Sequence, residues 1–233
     1  MKQGFSLLEV ILSCSLLMLA SAVIFSVFCY GQRGFSLASG RNSIQCDARS
    51  TFARLRQDLE QSAWSGVSLD TGVLRRATVP LSTGPSVQPR DLICMASLTD
   101  WYASGNFDPV TGLPLWNSYV LYHPDLQTNQ SKLYRVELVV PAFSGGGWSD
   151  FTTYFTGYLG TPPAVGTNIS GAVVRSRRVL AGSLLGFEIS KSTKSILVTL
   201  RLWNRAKGVV QGSKDKDEIL EIRSRIAPNN LAY

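Results

Sequence analysis

The chain has 233 residues, of which 45% are hydrophobic and 17% charged, and a formal net charge of +7. That composition suits a β-rich domain more than a disordered tail; with about 60 residues given to an N-terminal helix, the rest suffices for one moderate domain with its own core. The cations are dispersed, with Arg75-Arg76 and Arg175 to Arg178 the densest groups, which reads as a solubilising surface, so no nucleic-acid partner is expected.

Behind Met1-Lys2-Gln3-Gly4 comes an apolar run, Phe5 to Tyr30, in which the ionisable side chains are Glu9, Cys14, Cys29 and Tyr30. Wound as a helix, Val10 to Tyr30 covers about 30 Å, enough to cross the hydrocarbon core of a bilayer. A charge in or near hydrocarbon costs roughly 2.5 kcal/mol or more, which makes Glu9 a functional candidate by default. An ordinary signal peptide fits less well, because a cut after Ser21 or Ala22 would split the run. The flanking charges, Lys2 against Arg33, Arg41 and Arg49, leave the orientation open.

Gly4-Phe5-Ser6-Leu7-Leu8-Glu9-Val10 resembles the processing site of type IV prepilins and type II secretion pseudopilins. The resemblance implies cleavage by a prepilin peptidase between Gly4 and Phe5, N-methylation of Phe5, and a role for Glu9 in subunit assembly. It also implies a domain plan: residues 1–4 as leader, 5–30 as the transmembrane half of a long helix, 31–65 as its stem, and 66–233 as a β-rich extracytoplasmic head. The protein would then be a single-pass protein of the inner membrane with its head in the periplasm or another extracytoplasmic space. Its partners would be other minor pilins or pseudopilins, the filament, the prepilin peptidase and the inner-membrane assembly platform.

After Tyr30 the helical pattern resumes. Ile44, Ala48, Phe52, Leu55 and Leu59 recur at steps of four, four, three and four and draw one apolar stripe, the face with something to bury. Arg54 with Asp58 and Arg56 with Glu60 stand four apart, on faces read as polar. Gly31, Gly34 and Gly40 each cost about 1 kcal/mol relative to Ala, so bending or local melting is expected there. Ser65-Gly66 reads as the helix stop.

About eight strands follow by apolar alternation: Val73 to Val79, Leu92 to Ala96, Tyr119 to Tyr122, Leu133 to Val140, Val173 to Leu180, Leu185 to Ile189, Ile196 to Trp203 and Ile219 to Ile226. The second pair reads as neighbours joined by the polar Asp125 to Lys132 segment. Pro80 to Pro89 reads as turn-rich and Ser144 to Trp148 as a flexible turn, while Trp101 to Trp116 reads as a long irregular loop and Gly157 to Gly171 as another loop. The expected fold is α+β and pilin-like, a long N-terminal helix packed on antiparallel sheet.

Three stretches are most similar to the J-type minor pseudopilin: Phe52 to Gln61, Tyr119 to Tyr122 with Leu133 to Val136, and Ile222 to Pro228. On that resemblance the chain is expected to help initiate or cap a type II secretion pseudopilus at its tip. The alternatives are a minor pilin of a twitching or DNA-uptake pilus and a signal-anchored binding module with no filament role.

Signals for other chemistry are sparse. His123, the sole histidine, is followed by Pro124 and is poor material for a general base, and no nucleophile elbow, metalloprotease pair or phosphate loop is present. Ser213 to Glu218 interleaves acids with lysines that would repel calcium, and Asp100 and Asp108 are too few for a site. No catalytic residue, metal ligand or cofactor is therefore expected. Cys46 and Cys94 could pair in an oxidising compartment, and the five tryptophans read as core and loop packing.

Overall fold

The computed structural model describes residues 6–128, 131–140, 160–169, 171–206 and 216–227. One helix, α1 (Leu7–Glu60), is followed by eleven strands among these residues. They are β1 (Val67–Asp70), β2 (Arg76–Leu81), β3 (Gly84–Pro89), β4 (Leu92–Ser97), β5 (Ser118–Pro124), β6 (Leu133–Val139), β7 (Asn168–Ile169), β8 (Ala172–Ala181), β9 (Leu184–Lys191), β10 (Ile196–Ala206) and β11 (Lys216–Ile226). The chain is thus α+β: a long N-terminal helix, then a β-rich region of antiparallel sheets.

Helix α1 runs unbroken for 54 residues, about 80 Å at 1.5 Å per residue. The glycines do not melt it, because once a helix is nucleated each further residue adds a backbone hydrogen bond, and the flanking turns outweigh single weak positions. Gly40 has a different use. A Cβ there would lie 2.0 Å from Asn204 Nδ2 of β10, so the missing side chain lets helix and sheet approach. Gly40→Ala is expected to gain about 1 kcal/mol of helix propensity in an Asn204→Ala background and to lose that gain in the native one. Melting curves of the four variants check it; equal gains in both backgrounds would refute the contact.

The helix ends at Glu60, earlier than Ser65-Gly66. Gln61 is the C-cap, its N–H bonded to the Gln57 carbonyl, and a single 3-10 turn, Trp64–Gly66, leads into β1. Three sheets follow. Six strands lie in the order β1-β4-β5-β6-β8-β7, three in the order β11-β10-β9, and β2 pairs with β3 alone. The β5–β6 neighbours joined by the Asp125–Lys132 segment are found in register, Tyr122 opposite Arg135.

The principal core lies where the docked half of α1 meets the two larger sheets: Leu55 and Leu59 of the helix, Ile93 and Met95 of β4, Val120 and Tyr122 of β5, and Phe187, Val198 and Leu200 of β9 and β10. Alternation places Leu92, Cys94, Leu121, Val136 and Leu138 on the opposite face of the six-stranded sheet, in a second cluster. A third, Val79 with Leu185 and Trp203, seats the β2–β3 hairpin on β9 and β10.

Pro80 to Pro89, read as turn-rich, is largely the second half of that hairpin. Pro80 stands opposite Pro85, which a two-stranded ribbon tolerates because each strand has a free edge. Gly84 at φ 127° supplies the turn conformation that a side chain would strain. Val73 to Arg75 lie outside β2. The turn expected at Ser144 to Trp148 lies outside the described residues; of the loop expected over Gly157 to Gly171, residues 160–169 and 171 are described, and Asn168–Ile169 form the short strand β7 there.

Candidate functional site: the exposed helix and its seat

The helix has two unlike halves. From Leu7 to Tyr30 its large apolar side chains are exposed, Leu7 by 80% and Tyr30 by 74%. Its most apolar 18-residue window has a mean hydropathy of 2.5 with none of it buried, which makes α1 the one candidate membrane span among the described residues. Two hydroxyls in this half are satisfied within the helix: Ser15 Oγ donates to the Ile11 carbonyl and Ser26 Oγ to the Val23 carbonyl, each at 2.8 Å. Cys14 and Cys29 are free thiols on this surface.

Glu9 sits in the first turn. Ser6 is the N-cap: its hydroxyl accepts the Glu9 N–H at 3.3 Å, and Glu9 Oε2 accepts the Ser6 N–H at 3.4 Å. This is a capping box, in which two orphan amides of the helix start are satisfied reciprocally. The Ser-x-x-Glu spacing carries that signal in the sequence, beside the reading of Glu9 as a charge near hydrocarbon and, by resemblance, an assembly residue. Gly4 and Phe5, the expected cleavage and methylation positions, lie outside the described residues.

The second half is docked. Ile44, Ala48, Leu55 and Leu59 are buried, and Phe52 is half-buried at the edge of the same core. Fully burying each such leucine is worth roughly 1.5–3 kcal/mol. Polar clamps sit at both ends of this seat. Near its start Arg41 pairs with Glu218 of β11, and Asp47 Oδ2 accepts the Gly182 N–H of the β8–β9 turn at 3.2 Å.

At the far end lies the feature that periodicity missed. Asp58, expected on a polar face, is buried, because the stem there lies over the face of β5 and β6 that carries Tyr122 and Arg135. Arg135 donates to it through Nε at 2.7 Å and Nη2 at 3.1 Å, and the Tyr122 hydroxyl donates to Oδ2 at 2.7 Å. Burial, reinforced by the Asp58 carboxylate, pushes the Tyr122 phenol far above its ordinary range. Burial works against the Arg135 charge, but the bonds to Asp58 more than restore it, and its pKa stands above the usual arginine value. The exposed Arg54 lies 3.5 Å from the same carboxylate. No period could reveal this, since the two buried partners of Asp58 lie more than 60 residues away, at separations of 64 and 77.

The remaining candidates are occupied by the fold. His123 is buried and receives Arg75 Nη1 at 3.5 Å, while Arg75 Nε donates to Asp70 at 2.8 Å. Asp108 accepts the Val110 N–H at 2.8 Å, the main cause of its lowered pKa, and Asp100 accepts the Tyr102 N–H at 2.8 Å. Asp217 accepts the Ser82 N–H, joining β11 to the β2–β3 turn. Cys46 is exposed on the stem and Cys94 faces the second core cluster; no disulfide joins them, and the six-stranded sheet lies between them. Trp101 packs edge-on against Trp116 at 5.8 Å, Trp64 carries Lys191 over its ring at 4.5 Å, and Trp203 is buried.

Among known protein families, curated proteins and solved structures, none matches this chain.

Proposed function

We propose that this chain is a minor pilin or pseudopilin, a membrane-anchored subunit that helps initiate or cap a type II secretion pseudopilus. The observation that carries the reading is the division of one continuous helix into an exposed apolar half and a half docked on a β-rich head. Such a helix needs apolar surroundings for its first half. Lipid supplies them before assembly, and a bundle of like helices supplies them in a filament. A minor pilin of a twitching or DNA-uptake pilus has the same anatomy. A signal-anchored binding module would share the span and lack the processing.

In this reading the leader is removed after Gly4, Phe5 carries the new methylated amine, and Glu9 meets the amine of a neighbouring subunit. The partners are other minor subunits, the filament, the prepilin peptidase and an inner-membrane assembly platform, with the head on the extracytoplasmic side. Intact-mass measurement of membrane-extracted protein from a cell with an active prepilin peptidase is expected to show a chain that starts at methylated Phe5. Gly4→Val is expected to retain Met1 to Gly4, because a branched side chain obstructs the scissile bond. A native chain that still carries its leader would overturn the reading.

Glu9→Gln separates the two duties of this residue. Glutamine serves in a capping box as well as glutamate does, so the helix start and membrane insertion are expected to survive. Only the charge is lost, and with it the pairing to an amine at a low-dielectric boundary, where unlike charges interact far more strongly than in water. Co-purification with partner minor subunits is expected to fall; native-level association would exclude the charge-pairing role.

A further inference from the structure

Beside the C-terminal end of the stem, a polar cleft of about 410 Å³ is lined by Arg54 and Asp58 of α1, Arg135 and Glu137 of β6, Arg175 and Arg178 of β8, and Trp101. The strand register explains the gathering. Arg135 and Glu137 alternate onto the helix-facing side of β6, and their cross-strand partners on β8 are Arg178 and Ser176. Between Ser176 and Val174 the register slips by one residue. Arg175 is the extra residue, and it lines the cleft; in unbroken alternation it would fall with Arg177 on the opposite side.

The charges in this cleft do not balance. Four guanidiniums meet two carboxylates, a surplus of two positive charges. Asp58 is taken up by Arg135 and Tyr122, with the exposed Arg54 3.5 Å away. Glu137 is divided between Arg175 at 3.6 Å and Arg135 at 3.8 Å and also receives the Ser176 hydroxyl at 3.3 Å. Arg178 is exposed and has no hydrogen-bond or ion-pair partner among the described residues. It stands directly opposite Arg135, a like-charge placement that costs a sheet stability unless an anion lies nearby.

We propose that this cleft is a docking site for an extended acidic segment of a partner protein, with one carboxylate set between Arg175 and Arg178 and a second near Arg54. Charge complementarity favours a peptide over a nucleic acid, because Asp58, Glu137 and the Thr99 carbonyl that accepts from Arg175 at 3.4 Å would repel a continuous phosphate chain. Trp101, braced by Trp116, offers an apolar wall for the residues between the carboxylates. The proposal stands on the head and the docked end of the stem and is independent of the filament reading.

The test uses the full chain in detergent micelles and a fluorescein-labelled ten-residue peptide of alternating Glu and Gly, beside its Gln-Gly counterpart, at low salt. Saturable binding of the Glu peptide is expected, with the Gln peptide much weaker and affinity falling as salt is raised. Arg178→Ala is expected to weaken binding about tenfold, or roughly 1.4 kcal/mol, without lowering the melting temperature, because Arg178 has no partner among the described residues to lose and faces the like-charged Arg135. Arg223→Ala removes a cation of β11 that pairs with Glu221 outside the cleft, and is expected to leave binding unchanged. Absence of saturable binding, equal binding of the Gln peptide, or equal loss in Arg178→Ala and Arg223→Ala would overturn the proposal. Displacement of the peptide by inorganic phosphate at matched charge would overturn it too, in favour of a small-anion site.

Discussion

Asp58→Ala is expected to cost the folded chain about 3–5 kcal/mol, because it strands the buried Arg135 guanidinium and leaves the Tyr122 hydroxyl without its acceptor. Against total stabilities of about 5–15 kcal/mol, that is a large fraction. Urea unfolding of the full chain in micelles, followed by tryptophan fluorescence, checks it. The discriminating variant is Asp58→Ala with Arg135→Met, which removes the stranded cation along with its partner. Much of the stability is expected to return, since the loss in the single variant comes mainly from an uncompensated buried charge. A single-variant cost below about 1 kcal/mol would mean that the pair behaves as an exposed one.

Leu55→Asp is expected to release the stem from the head. Leu55 is fully buried between the helix and the two larger sheets, and a carboxylate there has no cationic partner in the surrounding cluster. Removing the side chain alone, as in Leu55→Ala, costs about 2–5 kcal/mol, and the buried charge adds to that. Phe52→Asp, one turn earlier, is expected to be milder, because Phe52 is half-buried and its replacement can turn toward water. The order of melting temperatures, native above Phe52→Asp above Leu55→Asp, is the measurement. A reversed order would place the centre of the seat nearer Phe52.

These variants divide along what local pattern can and cannot show. The stripe Ile44, Ala48, Phe52, Leu55 and Leu59 is legible because a helix brings every third and fourth residue to one face, and an apolar face needs a cover. The membrane-length run is legible from length and hydropathy alone. Strand positions in β5, β6, β8, β9, β10 and β11 follow from alternation, although their ends shift by up to a few residues. Strand β3 and its pairing with β2 were hidden because Pro80, Pro85 and Pro89 signal a break, and only a ribbon with free edges makes them acceptable in strands.

By itself, the sequence determined a long helix with one apolar half and one amphipathic half, followed by antiparallel strands, since each property rests on neighbours three, four or two residues apart. It also contained the Ser6–Glu9 capping box, a relation over three residues. The tertiary structure decided everything that depends on distant partners. It buried Asp58 against Arg135 and Tyr122, gave Gly40 its use against Asn204, separated Cys46 from Cys94 by a sheet, and turned Arg175 into the cleft through a bulge in β8. The physical reason is common to all four: a charge, a missing side chain, a thiol or a register slip acquires its meaning from the surface packed against it, and local spacing carries no record of that surface.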